Sequence, residues 1–183
     1  MPSKLRRERR KETSMRKLIL VLVTAFFAVP AFAVAGSPPS AADSASAQKQ
    51  CAAERTAMGL APFKLLYGNK ANAFGKCVSR RASANAANRA NASAQCTSAQ
   101  TADPAGFAAK YGIGPKHKNA FVRCVQLTAK ALAAAQVSAT VNASKQCSAE
   151  LKANPTAFQA KYGPSTKSKA FGKCVSLKVK HTG

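Results

Sequence analysis

The chain has no tryptophan, three tyrosines, two histidines, and six acidic residues against 29 lysines and arginines. Each scarcity closes off a class of chemistry. Only four acids follow residue 36: Asp43, Glu54, Asp103 and Glu150. Scattered as they are, they offer no carboxylate pair for glycoside hydrolysis. His117 and His181 stand in no H-E-x-x-H or C-x-x-C-H pattern, and no C-x-x-C occurs, so the common zinc, haem and dithiol signatures are missing. Zinc held by pairs of cysteines would need further ligands that the neighbouring sequence does not offer. With every cysteine better used in a bridge, no nucleophile stands beside a base. The expectation is a non-enzymatic protein with no catalytic residues, metal, cofactor or small-molecule substrate.

What is present begins with an address. After Met15-Arg-Lys comes the apolar run LILVLVTAFFAVPAF, followed by small residues that place Ala-x-Ala patterns at Ala31–Ala33 and Ala33–Ala35. This is the pattern of a signal peptide over residues 1–35, cleaved near Ala33 or Ala35, with Met15 as an alternative start. The run is short and interrupted by Pro30, unlike a membrane span. An uncleaved N-terminal anchor is the minor alternative. Beyond residue 35 remain 21 Lys and Arg against four acids, a net charge near +17. Such a balance favours solubility and long-range attraction to polyanions. All six cysteines lie in this exported part, and an even count in an oxidising compartment predicts three disulfides.

The same words recur around those cysteines. AFGKCVS occurs at 73–79 and 170–176, and AFVRCVQ at 120–126. Aligned on cysteine, three copies each show Gln-Cys, then Phe four residues before Tyr-Gly, then Ala-Phe three residues before a second Cys-Val. Self-similarity of this density marks a repeat protein. After residue 35 every aromatic occupies a repeated position: Phe63, Phe107 and Phe158; Tyr67, Tyr111 and Tyr162; Phe74, Phe121 and Phe171. Interleaved with bases, they could form a stacking platform for single-stranded nucleic acid. Their spacings of three and four residues instead match a helical core. A module of some thirty residues buries too little surface to fold alone, so one disulfide within each copy is expected: Cys51–Cys77, Cys96–Cys124 and Cys147–Cys174.

Local signals are helical. Asp103-Pro104 and Asn154-Pro155 read as N-cap followed by proline at the first helical position. Gly68, Gly112 and Gly163 fit a left-handed residue just past a helix end. Longer helices are expected to begin near Asn72, Asn119 and Ser168, and to run on through the alanine-rich connectors, with partly disordered linkers as the alternative. The predicted fold is all-α: three disulfide-stapled modules joined by long alanine-rich helices in an extended array. The divisions are a flexible segment 36–49, a first module with connector 50–94, a second 95–145, and a third with a basic tail 146–183.

The pattern Phe…Tyr-Gly…Ala-Phe-Gly-Lys-Cys-Val resembles repeats in uncharacterised secreted proteins of high-GC Gram-positive bacteria. It covers roughly residues 50–178 apart from the connectors, and the middle copy departs from it at Val122 and Gln126. The resemblance implies a bacterial, secreted protein, and no chemistry.

The bases carry the functional expectation. One precedes each second cysteine (Lys76, Arg123, Lys173), and others lie in the loop before it: Lys70; Lys116 and Lys118; Lys167 and Lys169. All surround predicted helix starts, where exposed N–H groups and the macrodipole favour anions. Glu54 and Glu150, each three residues after a first cysteine, read as solvated helix residues paired with a nearby base. The leading function is non-specific binding of an anionic polymer, either a cell-envelope polyanion or extracellular nucleic acid. A structural spacer or protein-interaction array with solubilising charge is the alternative, and a secreted antimicrobial or toxin the third reading.

Overall fold

In a computed structural model of the chain, residues 38–68, 71–163 and 166–181 are described; they belong to a unit running from Ala35 to the C-terminus. The expected export signal and Lys70 lie outside the described residues. Among the described residues there are seven helices and no strand: α1 (Ala41–Met58), α2 (Leu60–Tyr67), α3 (Ala73–Ala102), α4 (Pro104–Tyr111), α5 (Ala120–Ala153), α6 (Pro155–Tyr162) and α7 (Lys167–His181).

Most helix starts follow from side chains that satisfy orphan backbone donors. Asp103 and Asn154 each accept from the N–H three residues on, Gly106 and Ala157, both at 2.9 Å, with proline at the first helical position. Helix α7 is capped by Thr166, whose hydroxyl accepts from the Lys169 N–H. Ser168, the expected cap, instead donates to the Leu65 carbonyl at 2.8 Å. The segment expected to be flexible, 36–49, is helical from Ala41 onward. Ser40 and Asp43 form a reciprocal capping box there, and Asp43 is bound by Arg89 of α3. Local composition points to disorder, but the cap and this long-range ion pair win.

The glycines after each tyrosine do not share one conformation. Gly68 and Gly163 have φ of 112° and 118°, whereas Gly112 is extended at φ −71°. Gly112 is needed for close approach instead. A Cβ there would lie 2.5 Å from both the Ala108 oxygen and the His117 Cα.

Each expected disulfide is formed, with Cα–Cα distances of 6.0, 6.0 and 6.1 Å. Phe63–Tyr67, Phe107–Tyr111 and Phe158–Tyr162 stack alike, with ring centroids 4.9, 4.9 and 4.7 Å apart. Phe63, Tyr67, Phe107, Phe158, Tyr162 and Phe171 are buried, while Phe74, Tyr111 and Phe121 are partly buried. The aromatics therefore form cores.

The alanine-rich connectors are continuous helices whose small residues let α1, α3 and α5 approach closely, while polar side chains zip the contacts. Gln50 donates to Asn85, which donates to the Asp43 carbonyl. Asn88 and Gln136 exchange two hydrogen bonds of 3.1 Å. Buried amides are tolerable because they are paired.

An extended array is expected from the sequence; in the structure the chain folds back instead. Helix α2 packs against α7 and α5. Leu66 contributes to the cores around both Cys51–Cys77 and Cys147–Cys174, and Val137 and Val141 of α5 pack with the first of these. The core around Cys96–Cys124 stands apart and has only Phe107 and its two cysteines fully inside.

Candidate functional site

The repeated bases lie where three long helices begin. Lys76 of α3, Lys116, Lys118, Arg123 of α5, and Lys167, Lys169 and Lys173 of α7 are all exposed. None makes an ion pair among the described residues. Asn72 and Asn119 occupy the cap positions of α3 and α5 without a side-chain cap hydrogen bond, and neither helix has an acid in its first turn. Their first N–H groups therefore have no side-chain acceptor from the cap residue. Asn119 is left-handed at φ 58°, as is His117 at 46°; both follow from the tight turn closed by paired Ile113 and Lys118 backbones. Lys116 and Lys118 share that turn. Among the described residues, no hydrogen bond or ion pair joins the bases of one helix start to those of another.

The acids are spent elsewhere. Asp43 is bound by Arg89 and Ser40, and Asp103 is a cap. Glu54 is fully buried, not solvated as expected: it pairs with Arg81 at 2.5 Å and accepts from the Tyr67 hydroxyl at 2.6 Å. Arg81 also donates to Thr140 of α5 at 2.8 Å. Glu150, about one-third exposed, repeats the arrangement with Lys178 at 2.7 Å and the Tyr162 hydroxyl at 2.8 Å. Lys161 adds a longer contact of 3.6 Å.

This Glu–Tyr–base cluster has a sequence signal: Glu three residues after the first cysteine, base four after the second. The middle copy has neither. Ala99 and Thr128 stand at those positions, and the Thr128 hydroxyl lies near both sulfurs of Cys96–Cys124, at 3.9 and 4.0 Å. Acid and base are lost together, as a paired buried charge requires.

The surroundings set three titrations. The hydrogen bond from Lys178 chiefly holds Glu150 below the ordinary glutamate range, aided by Tyr162 and Lys161 against partial burial. Burial alone would raise the Asp43 carboxyl, but hydrogen bonds from Ser40 and the Arg89 charge keep it below the ordinary range. Burial, then the Glu54 charge, pushes the Tyr67 phenol well above its ordinary 10.0. Depressed carboxylates stabilise the fold above their unfolded values and lose that contribution as pH falls through the folded ones. The raised tyrosine stabilises below its unfolded value and loses its contribution as pH rises past it. Urea midpoints should therefore be level between about pH 5 and 9 and fall on either side. Tyr67→Phe should flatten the alkaline limb and Glu150→Gln soften the acid one. An unchanged alkaline limb in Tyr67→Phe would assign it to other groups.

No group of His, Cys, Asp and Glu among the described residues is placed to hold a metal ion, and no described helix is long and apolar enough to cross a membrane. Comparison with protein-family models, curated proteins and solved structures finds no match.

Proposed function

We propose that this chain is an exported, non-enzymatic protein that binds anionic polymers without sequence specificity, built from three copies of one stapled helical module. One observation carries the reading. All four acids after residue 36 are engaged by cations, hydroxyls or a helix start within the unit, whereas the seven described bases around the starts of α3, α5 and α7 are exposed and free of acids. The excess positive charge is thus offered outward at helix ends where N–H groups already favour anions. Lysine dominates these positions, and lysine contacts phosphate as a point charge, not a bidentate reader. Three disulfides agree with an oxidising compartment outside the cytoplasm.

The test uses the oxidised unit from Ala35 onward, titrated against duplex DNA and a glycerol phosphate polymer between about 50 and 200 mM salt. Six phosphate contacts would cost roughly a thousandfold in affinity over that range. Changing Lys76, Arg123 and Lys173 together to Gln should lower the logarithmic salt slope by about 2.7. The same slope after removing three other exposed lysines (Lys49, Lys145 and Lys152) would show charge without a site. Absence of binding at physiological salt would sink the proposal.

A further inference from the structure

Away from the repeated bases, α1 and α5 diverge over α3 and leave an open groove of about 670 Å³. Its walls carry alanine and valine, Ala42 and Ala53 of α1 against Val125, Ala129, Ala134 and Val137 of α5, interspersed with Ser46, Gln50, Gln126 and Ser138. Three cations line the same groove, Lys49 on one wall, Lys130 on the other, and Arg89 on the floor. The lone acid there, Asp43, is already consumed by Arg89 and Ser40. Lys49 and Lys130 are exposed and have no acid partner among the described residues.

Size and charge narrow the occupant. From Ala42 to Ala53 the groove extends about 17 Å at the helical rise, so its volume corresponds to a cross-section of about 40 Å². An α-helix, about 10–12 Å across, would stand half out of it. One extended alkyl chain fits within. Small-molecule sites have volumes of this order, mostly apolar with a few placed polar groups. Charge complementarity fixes the other end. With two unpaired lysines on opposite walls, the head group must be anionic.

We propose that this groove binds one single-chain anionic amphiphile, its alkyl tail on the alanine and valine surface between α1 and α5 and its carboxylate or phosphate held by Lys49 or Lys130. The inference does not depend on polymer binding, which uses other residues.

Calorimetric titration of the oxidised unit with dodecanoate, dodecyl phosphate and uncharged dodecyl maltoside, all below micelle formation, tests it. Saturation at one molecule of each anion per chain, with the maltoside much weaker, is the expected result. The two anions distinguish carboxylate from phosphate preference. Lys49→Gln with Lys130→Gln should weaken anion binding about tenfold, and Ala134→Trp, an exposed wall position, should abolish it while the circular dichroism stays unchanged. Should Ala134→Trp perturb the spectrum, Ala42→Trp on the opposite wall serves the same purpose. Many weakly bound molecules per chain, or binding untouched by a folded tryptophan variant, would overturn the proposal. So would concentration-dependent self-association abolished by the tryptophan, which would assign the groove to a second copy of the chain.

Discussion

Replacing Arg81 with methionine is expected to lower stability by about 3–5 kcal/mol, whereas Lys178→Met at the equivalent place should cost about 1 kcal/mol or less. Both residues neutralise a glutamate that also accepts from a tyrosine hydroxyl. The difference lies in burial. Glu54 is wholly inside and its arginine side chain is only 10% exposed, while Glu150 and Lys178 are 34% and 26% exposed. Removing Arg81 strands a carboxylate that water cannot reach, and it also cuts the hydrogen bond to Thr140 that ties α3 to α5. Removing Lys178 leaves a carboxylate that water and Lys161 can serve.

A second variant would identify the mechanism. The double variant Arg81→Met with Glu54→Gln should recover most of the loss, because an amide can still accept from Tyr67 and no charge remains buried. Thermal midpoints supply the scale: about 10 °C for Arg81→Met in a unit of this size. A double variant no better than the single would mean that Arg81 acts through packing and Thr140 alone.

The parts of this fold legible in the sequence are those that a local word encodes. Asp103-Pro and Asn154-Pro are caps because only nearby atoms are involved. The disulfides follow from the repeat, since each copy must close itself. The position of Glu54 is legible in the sequence, but its burial is not legible from that position alone. Its position three residues after cysteine suggests a surface pair, but the joint exchange of Glu and base for Ala99 and Thr128 marks a buried one. Helix α1 illustrates the opposite limit. Its serine- and alanine-rich start has the composition of a linker, and it is held by Arg89 and Asn85, more than forty residues away. The folding back of α2 onto α7 is likewise invisible to periodicity. Leu65 and Leu66 show only that something apolar is near, and the partner is a helix one hundred residues further on. The groove is a product of that same tertiary divergence, so no motif announces it.

The three disulfides are expected to respond to reductant in a definite order, with Cys96–Cys124 opening well before the other two. Their unfolded-state contribution cannot separate them. Closing loops of 26, 28 and 27 residues is worth about 3.5 kcal/mol each in the chain-entropy model. Nor can static exposure, because all six cysteines are buried. The order is decided by how much structure must open to admit a thiolate. Around Cys51–Cys77 and Cys147–Cys174 the cores share Leu66 and draw on α2, α5 and α7, so exposing either disturbs both. Around Cys96–Cys124 the companions Tyr111, Ala120, Phe121 and Val125 are only partly covered. Local opening there should cost least. Timed reduction with dithiothreitol, alkylation and peptide mass mapping should therefore show Cys96 and Cys124 modified first, with the other pairs lagging together. Serine variants extend the argument. Cys96→Ser with Cys124→Ser should release α4 and the 113–118 turn, seen as lost amide protection there, while α2, α6 and α7 stay protected. Cys147→Ser with Cys174→Ser should lower the global midpoint and weaken protection of α2 as well, since the two cores are one cooperative unit. Simultaneous reduction of all three bridges would instead make the middle segment as tightly coupled to the rest as its neighbours are to each other, and its small separate core would not be a separate unit of stability.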